Sequence, residues 1–215
     1  KRYPEGNKLA IVTTSGGAVG LSLDAVADEE ATLAKLSPDA IEKMVDLVPE
    51  EVDVYNPMDA GTPLAGDVAR FCELCKLFAD DPAVDVIAMQ GRLPLPGDTE
   101  TAHLYVDLRE YTSKPVLPFA RMAENADEEY RDFQDAAGLP FLFGIPETVK
   151  AMQALVNYGA ARRRGIAELP EADVEPLNIS ESELIGSLSE YGLTAPVQTV
   201  ANDPQAAAAA AESIG

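Results

Sequence analysis

From Leu9 to about Arg164 the sequence alternates short, β-branched apolar runs with longer amphipathic stretches, and few folds accommodate that alternation. Strands joined through helices pair in parallel, and a parallel sheet needs helices on both faces. The predicted strands are residues 9–13, 32–36, 84–89, 115–119 and 141–143, with a short extended piece, Val52-Asp53-Val54-Tyr55, between the second and third. The expected fold class is therefore α/β, with a doubly wound, mainly parallel sheet.

Helix signals fill the gaps between strands. Ser37-Pro38-Asp39 places a capping serine ahead of proline at the first helical position. Asp127-Glu128-Glu129 opens a helix that runs to Gly138, and the stretch from Glu147 to Arg164 ends in Arg162-Arg163-Arg164-Gly165, where basic side chains suit the negative end of the helix dipole. Leu64, Val68, Phe71, Cys72, Cys75 and Phe78 recur at steps of three and four, which predicts one amphipathic helix starting near Leu64. Both thiols of the C-x-x-C then lie on its apolar stripe, as buried free cysteines rather than a redox pair or half a zinc site.

The pattern stops after residue 165. Residues 166–178 are acidic, contain proline and have no period, which predicts a linker between a domain over 1–165 and a further segment over 179–215. That segment reads as a capped helix from Ser180 to Tyr191 closed by Gly192, a strand-like Val197-Gln198-Thr199-Val200, and an alanine-rich helix that begins at Asp203-Pro204. It is too short to bury a core alone, so it is expected either to open a second domain or to dock on something else.

With 37 acidic against 16 basic residues the formal charge is −21, which works against binding nucleic acid or an anionic membrane. The 47% hydrophobic content argues for a packed core under that charge, and either a salt-adapted host or an ordinary acidic enzyme accounts for the excess. No apolar run reaches membrane-spanning length, and the chain opens Lys1-Arg2-Tyr3-Pro4, without an initiator Met or a secretory signal. A cytoplasmic piece of a longer protein is expected.

Three loops carry candidate chemistry. Thr14-Ser15-Gly16-Gly17 follows the first strand and opens a helix, where free N–H groups and the dipole suit an anion; no lysine follows, so it is not a P-loop. Asn56-Pro57-Met58-Asp59-Ala60-Gly61-Thr62-Pro63 leads into the predicted helix near Leu64, and Gln90-Gly91-Arg92 follows the third strand. In a doubly wound sheet all three sit beyond the carboxyl ends of the strands, so they are expected to share one edge. Taken alone, the first loop can be a tight strand-to-helix turn, the second a chain reversal, and Arg92 a plain surface arginine. No nucleophile–base pair and no metal-ligand cluster can be assembled, and the lone His103 has no identifiable partner.

Gly6-Asn7-Lys8-Leu9-Ala10-Ile11-Val12-Thr13-Thr14-Ser15-Gly16-Gly17, Leu36-Ser37-Pro38-Asp39 and Asn56-Pro57-Met58-Asp59 together resemble NDP-forming acyl-CoA synthetases, the ADP-forming acetyl-CoA synthetase branch of the succinyl-CoA synthetase superfamily. Ser180-Glu181-Ser182-Glu183-Leu184 through Pro196, with the alanine-rich helix, looks like the start of that family's ATP-grasp domain. The resemblance implies an acid–thiol ligase as parent, using ATP, Mg and CoA through acyl phosphate and phosphohistidine. It also implies partner domains in that parent: a CoA-binding domain, the phosphohistidine segment and the rest of the ATP-grasp domain, assembled as an oligomer. The family's Ser-His-Thr-Gly type motif is not in this sequence, and His103 does not match it, so the piece alone is expected to be inactive. By the same resemblance, the domain corresponds to the C-terminal part of the succinyl-CoA synthetase β subunit. Asp59, Gly61 and Thr62 fall where a glycine-rich helix start faces phosphohistidine, with Ser15, Gly16, Gly17, Asn56, Gln90, Gly91 and Arg92 lining the same pocket. On this reading Gly61→Pro slows phosphoryl transfer and leaves the fold intact. Two alternatives stand beside it: the catalytically silent synthetase-like region of a protein lysine acetyltransferase, and a free-standing flavodoxin-like or receiver module. The loops lack both the receiver's clustered carboxylates and the aromatics that would flank a flavin.

Overall fold

A computed structural model describes residues 2–91, 98–121, 128–165, 179–194 and 198–214, with the backbone alone for residues 99, 129, 130, 181 and 182. These residues form two compact units, Lys1–Ala167 and Glu168–Gly215. The proposed linker, 166–178, lies outside the described residues.

The first unit is a six-stranded sheet in which every pairing is parallel. Its strands are β1 (Lys8–Thr13), β2 (Thr32–Leu33), β3 (Met58–Asp59), β4 (Val86–Gln90), β5 (Val116–Ala120) and β6 (Leu142–Phe143). The order is β2-β1-β4-β5-β6, with β3 also paired to β1. The fold is α/β, as the alternating pattern requires. Alternate residues of β1 and β4 feed the two faces: Ala10, Val12, Ile87 and Met89 join one core cluster, while Leu9, Ile11, Val86 and Ala88 join the other. Helices cover both. α1 (Gly16–Asp28) and α7 (Ile145–Arg164) pack together over the second face, and α2 (Pro38–Val45), α4 (Val68–Asp80) and α5 (Thr99–Tyr111) cover the first.

Two sequence expectations change in position. Val52–Tyr55 joins no strand; the pairing falls later, at Met58–Asp59, where Val12 and Thr13 of β1 are the partners. The helix predicted from Leu64 is split. A single turn, α3 (Thr62–Ala65), ends at Gly66, and α4 starts afresh at Val68 with Asp67 accepting the Arg70 N–H at 3.0 Å. Cys72 and Cys75 are buried on α4, and burial pushes the Cys72 thiol up to about 12 and the Cys75 thiol higher than its ordinary value, so both are inert near neutrality.

β1 is bordered by β2 over its first half and by β3 over its second, and a side chain fills the gap between them. Asn56 Oδ1 accepts the Ile11 N–H at 3.0 Å, and its Nδ2 donates to the Leu9 and Ala34 carbonyls at 2.8 and 3.0 Å. One amide thus does the work of the missing stretch of strand.

α6 (Glu128–Ala137) ends at Gly138, and Ser37 caps α2 by accepting the Ala40 N–H at 3.3 Å. In the second unit α8 (Glu181–Glu190) has the full capping box of Ser180 and Glu183, and α9 (Pro204–Ile214) starts where Asp203 accepts the N–H groups of Gln205 and Ala206. Residues 198–200 form no strand, and Val197 lies outside the described residues. Among the described residues no helix is long and apolar enough to cross a membrane.

Candidate functional site

Because all six strands run the same way, the turns after β1, β3, β4 and β5 emerge along one edge. They enclose a cavity of about 510 Å³. Its floor is apolar, with Leu64, Val68 and Phe71, and its rim is polar, with Thr14, Gln90 and Arg121. The rim is tied across the sheet: Thr13 Oγ1 donates to Gln90 Oε1, and Gln90 Nε2 donates to Thr14 Oγ1 at 3.2 Å. Gly91 packs under the buried Tyr105 ring, where a Cβ would strike the hydroxyl, so only glycine lets the chain leave β4 this close to α5.

Beside this cavity is the N-terminus of α1. The Ser15 carbonyl takes the N–H groups of Ala18 and Val19 at 2.9 and 3.1 Å, which leaves Gly16 and Gly17 among the orphan donors of a 13-residue helix. Ser15 does not cap the helix with its hydroxyl. Instead that oxygen accepts from Arg121 Nη1 at 3.1 Å. A guanidinium, two backbone donors and the positive end of a dipole therefore meet at one exposed point, a combination suited to an anion.

The turn carrying Asp59, Gly61 and Thr62 is less open than its sequence suggests. Asp59 Oδ1 accepts the Gly61 N–H at 3.0 Å, Pro63 has none, and the Leu64 N–H turns back to the Gly61 carbonyl at 3.3 Å. Thr62 is left as the backbone donor of this turn, and α3, at four residues, contributes little dipole. Gly61 has φ 83° and ψ 162°, a region open to glycine alone, so proline cannot stand there without rebuilding the turn. That corrects the expectation that Gly61→Pro leaves the fold intact.

Other candidates sort clearly by position. Thr14, Gln90 and Gly91 line the cavity; Ser15 touches it through Arg121; and Gly16 faces Asp59 so closely that a Cβ would lie 3.3 Å from Oδ2. Asn56 spends its amide on the sheet and offers nothing to a ligand there. Arg92 lies outside the described residues. His103 is exposed on α5. Sequence reasoning missed Arg121, although its place just after an apolar strand, on the edge shared by the other loops, was the available signal.

No protein-family model matches the chain. It is 26% identical over 231 residues to acetate–CoA ligase [ADP-forming] I of Archaeoglobus fulgidus, covering 100% of this chain and 32% of that protein. It is 30% identical over 159 residues to the α subunit of acetate–CoA ligase [ADP-forming] II of Pyrococcus furiosus, covering 72% of this chain and 34% of the subunit. Over this region the chain is homologous to the ADP-forming acetate–CoA ligases. The fold agrees: an acetyl-coenzyme A synthetase of Ca. Korarchaeum cryptofilum, solved with phosphate and ADP, superposes with a TM-score of 0.59 at 25% identity, over 75% of this chain and 34% of that one. The chain spans about a third of the length of the ligases it matches.

Proposed function

We propose that the chain is part of an NDP-forming acyl-CoA synthetase, an enzyme that makes acyl-CoA from a carboxylic acid, CoA and ATP through acyl phosphate and phosphohistidine. In this reading the sheet edge of the first unit receives the phosphohistidine carried by another domain of the parent. The observation that carries it is the meeting of Arg121 with Ser15 at the N-terminus of α1, 3.1 Å apart, beside a cavity with a polar rim. A phosphoryl group placed there would be held by Gly16 and Gly17 N–H groups and by the guanidinium, whose charge balances the one that develops on the transferring oxygens. The turn of Asp59, Gly61 and Thr62 lies beside Gly16, with Asp59 Oδ1 held by the Gly61 N–H, so a phosphoryl group there sits next to the Asp59 carboxylate and relies on Arg121 to offset it.

The domain division supports this reading. The α subunit matches 72% of the chain, an extent close to the 167 of 215 residues in the first unit, while the Archaeoglobus ligase matches throughout. Residues 179–215 are read as the opening of an ATP-grasp domain, and the exposed Leu184, Tyr191, Leu193 and Val200 are surface that the remainder of such a domain would cover. Among the described residues no three His, Cys, Asp or Glu side chains are grouped to hold a metal ion.

The test is phosphoryl transfer in the intact parent enzyme, followed from γ-labelled ATP to an acid-labile phosphohistidine and on to acyl phosphate. Arg121→Gln is expected to slow transfer by about 10²-fold, the usual cost of removing one donor to developing charge, with the melting temperature unchanged. Unaltered transfer kinetics in a folded Arg121→Gln enzyme would reject the assignment.

A further inference from the structure

A second cavity, of about 490 Å³, opens at the other edge of the same sheet, where β5 and β6 begin. Its walls are Val116, Leu117 and Leu142 from the sheet and Leu155 from α7, and two guanidiniums, Arg2 and Arg109, close one side. None of its described lining residues is acidic, in a chain of 37 acidic and 16 basic residues. Arg2 is spoken for in part, since its Nη1 donates to the carbonyls of Arg109 and Thr112. Arg109 is different. Half-buried in the last turn of α5 and lying against Gly138, it makes no side-chain hydrogen bond or ion pair among the described residues.

The dipole of α5 accounts for a cation in its last turn. It does not account for a half-buried guanidinium lining an apolar cavity with no protein acceptor among the described residues. An anion with an apolar body satisfies both halves of that environment, because the carboxylate pairs with the fork of Arg109 while the chain replaces water against leucine and valine. We propose that this cavity binds a small organic monocarboxylate, its carboxylate on Arg109 and its apolar body between β5, β6 and α7. The site is remote from the edge that carries Arg121 and Ser15, so the proposal does not depend on the reading given above.

The probe is sodium octanoate, titrated into the full chain by calorimetry, with methyl NMR shifts of Leu142 and Leu155 reporting where it binds. Saturable binding that moves those methyls, that octan-1-ol reproduces only weakly, and that weakens at least about tenfold in Arg109→Gln is expected, since a hydrogen-bonded charge pair is lost. Arg109→Lys, which keeps charge but not the fork, should fall between. No saturable binding, shifts confined to other residues, or equal affinity for octan-1-ol would each overturn the proposal. So would undiminished affinity in an Arg109→Gln chain that melts at the unmodified temperature; if that variant does not fold, the methyl shifts and the octan-1-ol comparison decide.

Discussion

Asn56 joins two pieces of secondary structure with one side chain. Its amide serves three backbone groups at 2.8–3.0 Å from a half-buried position. Asn56→Ala leaves the Ile11 N–H and the Leu9 and Ala34 carbonyls short of partners, and a loss of about 2–3 kcal/mol is expected from such unsatisfied groups. Urea unfolding followed by far-UV circular dichroism checks it; a loss below about 0.5 kcal/mol, the scatter of ordinary surface substitutions, would show that the sheet does not rely on this amide. Asn56 and Arg121 show the same limit of reading residues one at a time. Asparagine before proline is a common turn former, and an arginine after a strand is an ordinary surface residue. Only the course of the chain shows that the first faces the gap beside β1 and that the second reaches Ser15.

Elements with their own punctuation were legible, and those without it were not. β1, β4 and β5 declare themselves by runs of apolar residues, and α2 and α8 by serine caps whose hydrogen bonds form as expected. β3 has two residues and no period to detect, while Val52–Tyr55, which has the better strand composition, stays unpaired because β1 meets the chain later. The apolar spacing of Leu64 with Val68 suggested one helix, yet Gly66 and the Asp67 cap divide it: Leu64 is buried from a separate turn rather than from the same stripe. The turn depends on Gly61, whose φ of 83° and ψ of 162° no L side chain holds without strain. Gly61→Ala should therefore cost about 1–3 kcal/mol, and Gly61→Pro more. Thermal melting of the two variants beside Gly66→Ala, where φ is −96°, tests the claim; equal effects at both glycines would mean that conformation is not the cause.

For the whole molecule the dominant quantity is charge. A net −21 is spread over the surface, and the described residues hold a single ion pair, Lys76 with Glu73 at 2.6 Å, so little local pairing offsets the repulsion. Raising NaCl from about 0.01 M to 1 M shortens the screening length from about 30 Å to 3 Å, and the first unit should become more stable. Each kcal/mol gained corresponds to about 2–4 °C for a unit of this size. Calorimetry at several NaCl concentrations measures it, and a melting temperature that is flat or falling with salt would show that repulsion does not limit stability.

The splice at Asn56 also governs how the candidate site can move. Thr14 follows β1 directly, and the turn from Asp59 to Thr62 is moored to β1 twice, by the amide below and by Val12 and Thr13 above. The two turns behave as one jaw with a fixed gape. On the proposed function, whatever enters between them supplies the flexibility, so any closing stroke would belong to the incoming group, and the sheet edge would serve as the anvil.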